Sequence, residues 1–170
     1  MSGAIHPSSR LKELAELSSK LFNEDQVCVD LANAAAHLCD SPIALVSLQV
    51  GDRLWFHTRV GLDVEGIPAE KSFCENAMQH CDTLLVVEDA SVDPRFVDND
   101  LVTGPLGIRF YVGAPLVLSD QQVLGNLCVL DSRPKKLNSD QLETLTFFGK
   151  QVAKILEGKL THQQDGRPHD

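Results

Sequence analysis

Apolar residues recur at helical spacing near the start of the chain. Leu11, Leu14, Leu17, Leu21 and Phe22 form one stripe with Lys12, Glu13, Glu16 and Lys20 off it, which predicts an amphipathic helix from Ser8 or Ser9 to about Asn23. Asn23 followed three residues later by Gln26 fits a helix N-terminus, and Val27, Leu31, Ala34, Ala35 and Leu38 give a second apolar face, ended by Ser41-Pro42. The period then changes. Ile43–Val50 and Leu54–Val60 read as strands joined by a Gly51-Asp52 turn, a hairpin. On its second arm Trp55 and His57 lie two apart and share a side, while Phe56 takes the other. Gly61 to Lys71 is a polar connection with Gly and Pro. Ser72-Phe73-Cys74-Glu75 matches a capping box and predicts a short helix from Phe73 to about His80, with Phe73 and Ala77 on one side and Cys74 and Met78 on the adjoining one.

The stretch from Leu84 to Asp131 is arranged differently. Leu84–Val87, Ile108–Leu118 and Val123–Leu130 are apolar runs bounded by turn residues and predict strands, the last two joined through Ser119-Asp120-Gln121-Gln122. Between the first two lie about twenty acidic, Pro- and Gly-punctuated residues with no sustained period, in which Asp93-Pro94-Arg95-Phe96 reads as a turn into one helical turn. Connections of that length inside a compact domain usually carry function, so this excursion is expected to roof a cavity on one face of an antiparallel sheet. A basic loop from Asp131 to Leu137 follows. Asn138 with Gln141 opens a long helix whose Leu142, Leu145, Phe148, Gly149, Val152, Ile155 and Leu156 recur at three- and four-residue steps. Ending near Leu160, it would be about 33 Å long.

These elements make one domain over residues 8–160, with a flexible start at 1–7 and a disordered tail at 161–170. A chain of 170 residues that is 43% hydrophobic can bury a proper core without disulfide or metal. The net charge of −9 and a pI near 5.0 argue against nucleic acid, whose phosphates need clustered Lys and Arg, and against an anionic membrane surface. With no run of about eighteen apolar residues and no signal-type leader, a cytoplasmic location is expected. Cys28, Cys39, Cys74, Cys81 and Cys128 show no CxxC or Cys/His spacing and read as free thiols rather than metal ligands. Cys28 and Cys39 fit as small hydrophobes on a helix face.

The runs SFCENAM, VVEDASVDPRF, NDLVTGPLGIRFYVGAPL and LGNLCVLD together resemble the GAF domain, in the form found beside histidine kinases and diguanylate cyclases of bacterial signalling proteins. The resemblance spans roughly residues 21–156. It implies an α+β, GAF/PAS-like antiparallel sheet of five to six strands, with the N- and C-terminal helices on one face and the short helix and long loop over a pocket on the other. Carried over residue by residue, it implies a small-molecule site walled by Trp55 and His57, by Phe73, Cys74 and Met78, by Asp89, Asp93 and Phe96, and by Arg109 and Tyr111. Because neighbours alternate, either Arg109 and Tyr111 or Phe110 and Val112 face that cavity.

Each residue also has a plainer reading. Trp55 fits a core, His57 a hydrogen-bonded strand, and Asp93 and Arg95 an ion pair that holds the loop. The acidic set Glu88, Asp89, Asp93, Asp98 and Asp100 would repel an anion unless Arg95 or Arg109 faces inward. Specialised activities of the family meet missing residues. Cys74 and Cys81, with Cys128, could make a reductase thiol pair of the free methionine sulfoxide type, but the Gly-Val-Cys-Gly type motif is absent and no His or Lys adjoins Cys74. No Cys lies between Cys81 and Cys128 for a bilin, and no cyclic-nucleotide signature is present. The expectation is therefore a regulatory sensor with no cofactor, metal or catalytic residue of its own. It would bind a small molecule, form a homodimer through its terminal helices and serve a kinase or cyclase effector in cis or trans. A thiol reductase and a ligand-free dimerisation module are the alternatives.

Overall fold

The computed structural model describes residues 26–50, 53–62, 66–68 and 84–165. Its elements are α1 (Gln26–Leu38), β1 (Ile43–Val50), β2 (Arg53–Val60), β3 (Gly66–Pro68), β4 (Leu85–Val87), a 3-10 turn at Ala90–Val92, α2 (Asp100–Thr103), β5 (Phe110–Val117), β6 (Val123–Asp131) and α3 (Ser139–Asp165). The strands form one six-stranded sheet in the order β3-β2-β1-β6-β5-β4, antiparallel throughout. The expected α+β architecture is thus present. The expected helices at 8–23 and 73–80 and the Gly51-Asp52 turn lie outside the described residues.

Alternation along the central strands separates two cores. One face presents Ala44, Val46, Leu48, Phe110, Val112, Ala114, Leu127 and Val129 to the helices. The other presents Ile43, Leu45, Leu54, Phe56, Tyr111, Cys128 and Leu130 to the roof segment, whose Ala90, Phe96, Val102 and Ile108 are buried against them. α1 meets the sheet through Cys28, Ala32, Ala35 and Ala36, a face turned by about one residue from the expected one; Ala34 is exposed and Val27 is 54% exposed. Small side chains let that helix lie close, with Leu31 packing at its flank. α3 buries Leu145, Val152, Ala153 and Leu156, as its period predicts. Its start is a reciprocal capping box: Gln141 N donates to Asn138 Oδ1 at 2.8 Å, and Asn138 N donates to Gln141 Oε1 at 2.8 Å. Gln141 Nε2 also donates to Leu38 O at 3.0 Å, which ties the two helices at one end.

Several elements depart from the sequence pattern. β3 arises inside the connection expected to be irregular. β5 begins at Phe110 rather than Ile108, and α3 continues to Asp165, past the expected end near Leu160. A bulge in β2 lets Val46 oppose Thr58 while Ser47 opposes Phe56, so His57 is the extra residue. The roof holds α2, capped by Asn99 Oδ1 accepting from Leu101 N at 2.8 Å. Asn99 followed by Asp-Leu-Val carried that signal, too short to register as a period.

Two glycines permit close approaches, one between adjacent strands and one between helix and sheet. A Cβ on Gly125 would fall 1.8 Å from Ser47 O, and one on Gly149 would fall 3.0 Å from Ala114 Cβ, where α3 rests on β5. We expect Gly125→Ala and Gly149→Leu each to destabilise the fold by about 2–4 kcal/mol through overpacking. Gly158→Ala, at an exposed helical position with no atom within 4 Å of the new Cβ, should stabilise it by about 0.5–1 kcal/mol. Urea unfolding midpoints check all three.

Candidate functional site

The roof is stitched to the root of β5 before any ligand is considered. Ala90 N donates to Arg109 O, Ile108 N to Leu101 O at 2.9 Å, and Arg109 N to Asp131 O at 2.9 Å. The Arg109 guanidinium donates to the carbonyls of Val102 at 3.0 Å and Ile108 at 3.1 Å. It therefore closes α2 onto β5 and is a positioning group for the roof. Asp89 caps the 3-10 turn, accepting from Ser91 N at 3.1 Å and Ser91 Oγ at 2.6 Å. Asp93 takes Arg95 through three bonds, from the backbone amide at 2.9 Å, Nε at 3.0 Å and Nη2 at 2.7 Å. Arg95 lies over the ring of Phe96, 5.0 Å from its centroid, and Phe96 is 3% exposed beneath it. The hydrogen bond from Arg95 holds the Asp93 carboxyl below its usual range, against a modest opposing effect of burial. Asp93 and Arg95 thus brace the loop, which matches the plainer reading of that pair.

Beneath the roof the sheet carries several buried polar groups, whereas Thr58 opposite Val46 is the buried polar residue that the described strands turn toward the helices. Leu45 opposes Arg59 on β2 and Cys128 on β6, and Cys128 opposes Gly113 on β5. The next rung joins Phe56, Ser47, Asn126 and Pro115. Ser47, Asn126 and Cys128 are fully buried, Tyr111 is 1% exposed and Arg59 is 7% exposed. Ser47 Oγ donates to Asn126 O at 3.3 Å and lies 3.9 Å from Cys128 Sγ, which is 3.4 Å from the Tyr111 hydroxyl. Tyr111 folds back over Gly113, where an added Cβ would fall 2.4 Å from the phenol oxygen. This layer offers a hydroxyl, a phenol, a carboxamide and a guanidinium on an apolar floor, the make-up of a small-molecule site.

Among the expected site residues, Tyr111 and Phe96 come together in the roof-side core, while Phe110 and Val112 face the helices. Asp89, Asp93 and Arg109 belong to the roof and its root. The expected placement of Trp55 on this wall is corrected. Trp55 opposes Leu48, a helix-side residue, because Leu54 and Phe56 take the roof side of β2. His57 sits in the bulge with Nδ1 3.0 Å from Thr58 Oγ1. Phe73, Cys74 and Met78 lie outside the described residues. The sequence pattern does not single out Ser47, Arg59 and Asn126, and it raises Cys128 only as a thiol; the signal for two of them is a lone polar residue inside an apolar strand, Ser47 in IALVSLQV and Asn126 in VLGNLCVLD.

Thiol chemistry finds little support in the described cysteines. Cys28 and Cys128 are fully buried, and burial pushes the Cys39 thiol up to about 11, a little offset by Lys135. Among the described residues no group of His, Cys, Asp and Glu could hold a metal, and no helix is long and apolar enough to cross a membrane.

An antiparallel sheet with helices on one face, and a stitched roof over buried polar groups on the other, defines a GAF/PAS-like class of α+β domain. The GAF domain model matches residues 9–156, and the chain belongs to that family of signalling sensor domains. A cyclic di-GMP phosphodiesterase of Pseudomonas aeruginosa is 41% identical over 111 residues, which is 65% of this chain and 19% of that protein. The chain thus spans about a fifth of the length of that curated relative. The domain of a putative two-component sensor histidine kinase from Sinorhizobium meliloti superposes with a TM-score of 0.65 at 15% identity, over 84% of this chain and 97% of that one. The GAF domain of an Acinetobacter phosphoenolpyruvate-protein phosphotransferase gives 0.63 at 16% identity, over 92% and 94%. At these identities the likeness is one of fold.

Asp131 is the second anchor of the roof. Its carboxylate accepts from Arg133 N at 3.1 Å and pairs with Lys135 Nζ at 3.2 Å, while Lys135 N donates to Glu88 O at 3.2 Å. Burial works to raise its pKa, but the hydrogen bonds from Lys135 and Arg133 overcome that and the net shift is downward from 3.8. A depressed folded pKa gives stability that is present above the unfolded value and is lost as pH falls through the folded one. We expect the melting temperature to fall on acidification from about pH 5 to pH 3, with a shallower fall in Asp131→Asn, as read by thermal melts across that range.

Proposed function

We propose that this domain senses a small molecule on the roof side of its sheet and passes the bound state to an effector through its terminal helices. The observation that carries the reading is the buried polar layer of Ser47, Arg59, Tyr111, Asn126 and Cys128, on the face covered by the roof. The hydroxyl, phenol and carboxamide of that layer suit a hydrogen-bonding ligand better than an apolar one. A ligand that prefers one arrangement of the roof shifts that population by its differential affinity. The name of the Pseudomonas relative supports a cyclic di-GMP enzyme as the effector, and that of the Sinorhizobium neighbour a histidine kinase. On this reading the domain acts in the cytoplasm as a homodimer and is regulatory rather than catalytic. α3 has 27 residues, about 40 Å at 1.5 Å each, and leaves Phe147 57% exposed on the helix side, which supports pairing there.

Native mass spectrometry of the purified protein, followed by a thermal-shift screen of small anionic and polar metabolites, tests the sensor. Bound ligand at about a hundred times its Kd stabilises by roughly 2.7 kcal/mol, and Tyr111→Phe or Asn126→Leu should reduce that shift. Absence of any co-purifying or stabilising molecule would leave a ligand-free dimerisation module. In the same spectra the protein should appear as a dimer, and Phe147→Glu should weaken its association about tenfold.

A further inference from the structure

On the opposite face from the roof, α3 and β5 line a partly open cavity. α3 touches β5 at Gly149 and Ala114, and farther along it is tied to the β5–β6 turn, where Glu157 accepts from Ser119 N at 3.2 Å and from Ser119 Oγ at 2.5 Å. The cavity beside these contacts has a volume of about 700 Å³. That is within the roughly 300–1,000 Å³ typical of small-molecule pockets. Leu84, Val117 and Leu118 are among its apolar lining, and Lys150 and Lys154 stand on its helical side.

The two lysines are four residues apart on one face of α3, about 6 Å along its axis, so one anion can reach both. Among the described residues neither forms an ion pair, in a chain of net charge −9. Glu157 also lines the cavity, and its carboxylate is held by Ser119. It would repel a second negative charge on an occupant. Among the described residues the lining contains no aromatic side chain on which a planar ring could stack. We propose that this cavity binds a monoanionic aliphatic carboxylate, with its chain along the Leu84, Val117 and Leu118 side and its head group between Lys150 and Lys154. Such an occupant would lie between the last helix and the sheet, and the site does not depend on the roof-side reading.

Sodium decanoate, kept below its micellar concentration, is the probe for an NMR titration of the whole chain. The expected result is saturable 1:1 binding with shifts centred on Leu84, Val117, Lys150 and Lys154. K150Q/K154Q changes only exposed positions and should melt like the parent while binding at least fivefold more weakly; decan-1-ol and the dicarboxylate sebacate should also bind more weakly than decanoate. Non-saturable shifts, equal affinity in K150Q/K154Q, or shifts confined to Ser47, Tyr111 and their neighbours would each overturn the proposal. The last result would at the same time support the roof-side site, so the two readings fail separately.

Discussion

β1 and β6 adopt their register because residue 125 has no side chain, since any Cβ there would meet the Ser47 carbonyl at 1.8 Å. That contact joins strands nearly eighty residues apart in sequence and sets Leu45 against Cys128 and Ser47 against Asn126. A slip of one residue would exchange the faces of β6, turning Asn126 and Cys128 into the helix-side core and Leu127 and Val129 toward the roof. Burying the Asn126 carboxamide among the alanines and leucines of the helix layer would cost on the order of 1–3 kcal/mol. The close approach at Gly125 and the penalty for misplaced polar groups therefore favour the same register.

The repetitive parts of the fold were legible in the sequence. The period of α3, its Asn138 and Gln141 capping box, the hairpins and the two-sided burial of the central strands follow from spacing and residue type. The site was less legible. Alternation says that Trp55 and Phe56 point to opposite sides of β2, but only the pairing with β1 assigns the sides, and the bulge at His57 then changes the phase for Thr58 and Arg59. Arg59 reaches the roof-side layer through that extra residue, which no local propensity marks. Asp93, Asp89 and Arg109 looked equally suited to ligand or scaffold, because an acidic loop with two arginines fits both uses. Their hydrogen bonds, all within the roof or at its root, tie them into the scaffold.

That bracing bears on how the roof can respond. Its buried residues Ala90, Phe96, Val102 and Ile108 pack on the sheet, so it behaves as a layer more than as a free flap. A layer held by packing and a few backbone bonds moves between discrete arrangements rather than deforming smoothly. Arg109 and Asp131 stand where such a change would have to begin, since they join the roof to β5, β6 and the loop before α3.

β5 is the element that connects the two faces. Tyr111 projects from it toward the roof, and Ala114, three residues along, projects to the other side and carries Gly149 of α3 at a separation where even a methyl group would be tight. Tyr111 itself occupies the space above Gly113, so a ligand that displaced the phenol would relieve or increase pressure on the strand next to the helix contact. With Ala114 and Gly149 already touching, a small shift of β5 must be met by a matching shift or tilt of α3, because no soft side chain lies between them to absorb it. The Glu157 link to Ser119 fixes the far end of the same hairpin to the same helix, and a displacement of β5 therefore reaches α3 at two points rather than one. A helix gripped at both points is moved as a body rather than bent between them.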